Sequence, residues 1–105
     1  MTMKEITVED VKDKLNQYRL IDVREPHEWN GELGHIKGAQ LIPMNEVPMN
    51  LDQLKQDEEI LLICRSGNRS GRIGMYLDHQ GYQVTNLLGG MLDWNAMKLP
   101  VSRED

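Results

Sequence analysis

A single cysteine among 105 residues leaves no partner for an internal disulfide and no set of thiolates for a cysteine-based zinc site. Apolar runs are short, and none approaches the roughly 20 residues that cross a bilayer. Positive charge is scarce too: 12 Lys and Arg face 17 Asp and Glu, a net −5, with no basic stripe. That balance argues against nucleic acid and anionic membrane as partners. Internal repeats, low-complexity tracts and Pro-, Gly- or Ser-rich linkers are all missing, so a single domain over 1–105 is expected. The stretch from Met1 to Asp10 lacks an apolar core and carries Lys4, Glu5, Glu9 and Asp10, unlike a secretory signal. Together with the unpaired cysteine, this points to a reducing cytoplasm.

What is present is enough for one real core, with 39% hydrophobic residues, 9 Gly and 28% charged residues. Thr7 can cap a helix whose apolar residues Val8, Val11, Leu15 and Tyr18 fall near one face. Arg19 to Val23 reads as a short strand broken by Glu25-Pro26, and Leu41-Ile42 as a second strand. Leu51 and Leu54 suggest a modest helix ended by Asp57-Glu58-Glu59. Ile60-Leu61-Leu62-Ile63 is uninterrupted and apolar, as expected of a strand covered on both faces. A helix follows with Ile73, Tyr76, Leu77 and Gln80 on one side, and Gly81 stops it. Tyr82 to Leu87 is the next strand, Gly89-Gly90 a turn, and Met91 to Met97 a last helix before Pro100. Strands alternating with helices predict an α/β domain with a mostly parallel sheet.

Chemistry concentrates at one place. Cys64 stands directly after the most apolar strand and opens the segment Cys64-Arg65-Ser66-Gly67-Asn68-Arg69-Ser70, which leads into a helix. Ligands of open parallel sheets collect beyond the carboxyl ends of strands. The loop Arg65 to Ser70 is expected to curl so that its backbone N–H groups face the Cys64 sulfur. Gly67 and Asn68 are the residues best able to take left-handed conformations there. The helix, expected to begin near Arg69 or Ser70, adds its positive end. Between Cys64 and Leu77 lie Arg65, Arg69 and Arg72 and no acid, a local reversal of the overall charge. Such surroundings favour a thiolate over a thiol and would hold an anionic substrate beside it. Cys64 is therefore the candidate nucleophile.

Three segments, in order, make the sequence resemble the rhodanese-like family of sulfurtransferases in its small single-domain form. They are Asp22-Val23-Arg24-Glu25 with Glu28, Gly34-His35-Ile36-Lys37-Gly38-Ala39 and Ile42-Pro43; then Cys64 to Ser70; then Gly89-Gly90 with Trp94. Lys37 departs from the pattern, which usually has Pro there. The resemblance implies a central, mostly parallel sheet flanked by helices on both faces, and a loop that cradles a persulfide. It implies that Cys64 takes a sulfane sulfur from thiosulfate or a persulfide donor and passes it to a thiophilic acceptor. The amides from Arg65 to Ser70 (Arg65, Ser66, Gly67, Asn68, Arg69 and Ser70) would stabilise the outer sulfur, and Arg65 and Arg69 would bind the donor's anionic end. Asp22 and Arg24 would support the site structurally. No metal and no cofactor is called for; the partners are a small anionic sulfur donor and a thiol or protein acceptor. With no second cysteine, the sulfur must leave to an external acceptor.

The alternatives are a Cys-dependent phosphatase or arsenate reductase of related fold, and a non-enzymatic sulfur-relay binding module. The first uses a longer loop to cradle a tetrahedral oxyanion, whereas only Arg65, Ser66, Gly67 and Asn68 separate Cys64 from Arg69. The second commonly lacks the cysteine that is present here. Pro26 and His27, between Glu25 and Glu28, read as a turn, so the two carboxylates are a poor fit to paired-carboxylate hydrolysis. His27, His35 and His79 lack the spacing of a helical zinc motif, and His35 reads as a structural hydrogen-bonding residue. Trp94 reads as core.

Overall fold

The computed structural model describes residues 3–104; Met1, Thr2 and Asp105, the ends of the expected domain, lie outside the described residues. Among the described residues five strands, β1 (Lys4–Thr7), β2 (Arg19–Asp22), β3 (Gln40–Leu41), β4 (Glu59–Ile63) and β5 (Gln83–Leu88), form one sheet. Its order is β1-β5-β4-β2-β3, with every neighbouring pair parallel. Between the strands run α1 (Val8–Val11), α2 (Pro26–Trp29), α3 (Asn68–His79) and α4 (Gly90–Ala96), with 3-10 segments at Leu15–Gln17 and Met44–Gln53. No helix among the described residues is long and apolar enough to cross a membrane.

β4 explains the layering. It lies between β2 and β5, and successive strand side chains point to opposite faces. Ile60, Leu62 and Cys64 join Ile73 and Leu77 of α3 in one buried cluster; Leu61 and Ile63 join Val8, Val11, Met91 and Trp94 in the other. Each face thus has its own helical cover, which is why the run carries no polar break. α3 ends as its glycine leads one to expect. Gly81 takes φ +94, its N–H donates to the Asp78 carbonyl at 3.0 Å, and Tyr82 N–H donates to that of Leu77 at 3.1 Å.

Other local expectations are corrected. The helix capped by Thr7 is a single turn, with the Thr7 Oγ1 accepting from Asp10 N–H, and Leu15 belongs to a separate 3-10 turn. Lys4–Thr7 is an unexpected edge strand: with one neighbour and a largely exposed, partly charged surface, it has little hydrophobic pattern. The second strand is Gln40–Leu41, a residue earlier than expected, and the first ends at Asp22. The segment around Leu51 is 3-10 rather than α-helical. Pro48 sits inside it and lacks an N–H, and the backbone kinks at Asn50.

Candidate active site

Cys64 follows the last residue of β4, and α3 starts at Asn68, earlier than the sequence suggested. The reversal between them depends on Gly67, whose φ is +102 and whose added Cβ would lie 3.3 Å from Gly89 N and 3.4 Å from the Leu87 carbonyl. Asn68 does not share that conformation; it is the first helical residue. The loop is held from behind by α4. Met91 and Leu92 donate their N–H groups to the Cys64 and Arg65 carbonyls, both at 2.9 Å. These are donors that the first turn of a helix leaves without intrahelical partners. Gly90 permits the approach, because a Cβ there would stand 2.4 Å from the Cys64 carbonyl oxygen. With those carbonyls engaged by α4, Gly67 N–H donates to the Cys64 Sγ at 3.0 Å.

Ser70, in the first turn of α3, brings its Oγ to 3.2 Å from the same sulfur. Its other neighbour is Asn86 Oδ1, at 2.5 Å, while Asn86 Nδ2 donates to the Gly67 carbonyl at 3.1 Å. A hydroxyl has one proton, so Ser70 can donate to Asn86 or to the sulfur but not to both. A thiolate at Cys64 calls that proton toward sulfur. A thiol can instead donate its own S–H to Ser70 Oγ, leaving the hydroxyl proton on Asn86. Cys64, Ser70 and Asn86 are all buried, so water does not dilute this choice. Asn86 was not singled out from the sequence. The available signal was a polar residue two positions after Val84 in β5, hence on the face that α3 covers.

The charges differ from those the sequence suggested. The acid missing from the chain around Arg69 arrives from α2. Glu28 receives Arg69 Nη1 on Oε1 at 2.7 Å and Nη2 on Oε2 at 2.9 Å, a bidentate pair across 41 positions. The Arg69 hydrogen bonds, joined by one from Glu25 N–H and by the nearby Arg69 and Arg24 charges, hold the Glu28 carboxyl down to about 2. Arg69 is raised in turn, first by its hydrogen bond to Glu28 and also by the Glu28, Cys64 and Glu25 charges. Arg69 is therefore not a free anion-binding cation. Arg65 and Ser66 are exposed at the lip, and Arg65 forms no ion pair among the described residues.

Asp22 and Arg24 lie at the end of β2 and are buried together. Arg24 Nε donates to Asp22 Oδ1 at 2.9 Å, and Nη2 to Oδ2 at 2.8 Å and to the Gly34 carbonyl at 2.7 Å. His35 is also structural, its Nδ1 2.9 Å from the Trp29 carbonyl oxygen and its ring stacked on that of Trp29 at 3.6 Å. Trp94 is core, with Nε1 donating to the Pro100 carbonyl.

Known proteins share this fold and part of its sequence. Residues 7–97 match the family described as Rhodanese-like domain. The chain is 39% identical over 103 residues to "Putative sulfurtransferase YtwF" of Bacillus subtilis, covering 95% of this chain and 98% of that one. It is 37% identical over 83 residues to a protein named "Sulfurtransferase" of Allochromatium vinosum, covering 78% and 76%. The crystal structure of a rhodanese-related protein from Thermoplasma volcanium superposes with a TM-score of 0.90 at 30% identity, covering 96% of this chain and 99% of that one.

Proposed function

The chain belongs to the rhodanese-like domain family, and from that premise we propose that it is a sulfurtransferase whose single domain carries sulfur on Cys64. The observation that carries this reading is the Cys64 Sγ set between the Gly67 N–H at 3.0 Å and the Ser70 hydroxyl at 3.2 Å. The Gly67 N–H is already aimed at the sulfur before reaction, and the Ser70 hydroxyl turns its one proton from Asn86 to a negative sulfur, so charge there is met by two donors.

In the first half-reaction the Cys64 thiolate attacks the outer sulfur of thiosulfate or of a persulfide. A bond forms from Sγ to that sulfur, the donor's S–S bond breaks, and sulfite or a thiolate departs with the electron pair. In the second, an external thiophile such as cyanide or a thiol attacks the outer sulfur, and Cys64 leaves as the thiolate. The loop amides from Arg65 to Ser70 face the charge that moves onto the outer sulfur. Arg65 meets an anionic donor at the lip, and Asp22 with Arg24 fixes the end of β2 beneath the site. Only Arg65, Ser66, Gly67 and Asn68 separate Cys64 from Arg69, a short loop that favours a lone sulfur atom over a tetrahedral phosphoryl group. No metal or cofactor enters these steps. A reducing cytoplasm suits the free thiolate, and the acceptor is a small thiol or a protein thiol.

Intact mass spectrometry after thiosulfate or alkyl persulfide treatment is expected to show one added sulfur, and Cys64→Ser is expected to lose both that mass and all sulfur transfer while staying folded. Serine keeps the volume and one hydroxyl but has no thiolate. Wild-type turnover in the Ser variant, or aryl phosphate hydrolysis without sulfur transfer in the wild type, would overturn the reading.

A further inference from the structure

The loop that begins at Cys64 is cationic in sequence, but in space one of its two arginines is answered, as is the neighbouring Arg24. Arg69 is clamped in bidentate fashion by Glu28, and Arg24 by the fully buried Asp22. Beside the loop lies a cleft of about 270 Å³ whose lining includes Arg65, Glu28, Glu32, Leu33 and Leu92. Arg24 and His27 line it too, so its walls offer the unpaired Arg65 guanidinium, the Arg24 guanidinium already paired with Asp22, an imidazole, two carboxylates and two leucine side chains. Such a cleft is poorly matched to a compact dianion and well matched to a donor of low charge with an apolar or mixed body.

We propose that Glu28 is a specificity-determining residue: by neutralising Arg69 it turns the site away from dianionic donors such as thiosulfate and toward organic persulfides of low charge. This deepens the sulfur-transfer reading and rests on it. Glu28 itself touches no reacting atom; it acts through Arg69. With an organic persulfide, R–S–SH, the Cys64 thiolate bonds to the outer sulfur, the R–S to S bond breaks, and the R-thiolate leaves with the electron pair and takes up the persulfide proton. No oxidant or reductant is consumed. A donor that reacts as R–S–SH forgoes little when Arg69 is neutralised, whereas dianionic thiosulfate loses a cation and meets a nearby carboxylate. The Glu28 carboxyl, held near 2 by Arg69, keeps its charge throughout the working range.

Glu28→Gln isolates the charge. Gln retains an oxygen for Glu25 N–H, which preserves the capping arrangement of α2, and can still accept one Arg69 hydrogen bond. The measurement is the rate of sulfur loading on Cys64 from thiosulfate and from an alkyl persulfide whose body carries no charge, at low and high salt. In the wild type the alkyl persulfide is expected to have the larger kcat/KM. Glu28→Gln is expected to raise the thiosulfate kcat/KM about five- to tenfold, mostly through KM, the size expected of removing one like charge a few ångströms away. The persulfide value should shift less than about twofold, and salt should shrink the thiosulfate gain. Arg69→Gln, a second variant, should move the donor ratio the opposite way. A gain for one donor alone is not produced by mere loosening of the loop. If both donors shift alike in Glu28→Gln, or thiosulfate does not improve, the inference is overturned while sulfur transfer stands. If wild-type Cys64 takes sulfur from neither donor, the underlying reading falls instead.

Discussion

Two arginine–carboxylate pairs flank the nucleophile, and they have little in common beyond chemistry. Asp22 and Arg24 are two residues apart and almost completely buried, with side-chain exposures of 0% and 1%, and Arg24 has a further partner in the Gly34 carbonyl. Glu28 and Arg69 come from different helices, and their side chains stay 18% and 30% exposed. Burial gives the two pairs different work. A buried charge cannot exist without its partner, so the Asp22–Arg24 pair makes the end of β2 all-or-none. A half-exposed pair tolerates change, because water screens whichever charge is left. That makes Glu28–Arg69 the place where the charge beside Cys64 can be altered without losing the fold.

The sharpest way to break this contrast is Arg24→Met, which strands the Asp22 carboxylate in the core. It is expected to destabilise the protein by about 3–5 kcal/mol, read from denaturant midpoints, and the double variant Asp22→Leu/Arg24→Met should recover much of the loss. A cost no greater than that of Glu28→Gln would show that the two pairs do not differ as argued.

The second test is acid titration. Glu28 has its folded-state value lowered to about 2 from an ordinary 4.5, so its contribution is fully present above about pH 4.5 and is lost as pH falls toward 2. Wild type and Glu28→Gln should differ by on the order of 1–2 kcal/mol at neutral pH, after allowance for solvent screening, and converge near pH 2. A gap independent of pH would mean that the carboxylate charge is not what stabilises.

Arg65 supplies the unpaired control. Arg65→Ala should change stability by no more than about 0.5 kcal/mol, as at other exposed positions. Thiosulfate KM should nevertheless rise roughly three- to tenfold with kcat little moved, measured by steady-state kinetics. A destabilised Arg65→Ala would place that side chain in a network it does not form here.

Much of the scaffold could be read along the chain. Ile60–Ile63 signalled a strand covered on both faces, and β4 divides its side chains between the two clusters. Gly81 signalled the end of α3, and Gly67 the reversal after Cys64, because each local conformation suits glycine. β1 gave no comparable sign, since an edge strand needs only one apolar residue of Lys4–Thr7 inward. Pro48 was a visible sign against an α-helix around Leu51.

The sequence by itself determined the alternation of β4, α3, β5 and α4, the position of Cys64 at the end of the most apolar strand and the turn that follows it. These depend on periodicity and on conformations confined to a few neighbouring residues. The tertiary structure alone decided the electrostatics of the site: which arginine is free, which carboxylate answers Arg69, and that Asn86 ties Ser70 to the Gly67 carbonyl. Coulombic and hydrogen-bond partners are set by distance in space. Glu28 reaches Arg69 across 41 positions only because α2, following β2, and α3, following β4, emerge from adjacent parallel strands.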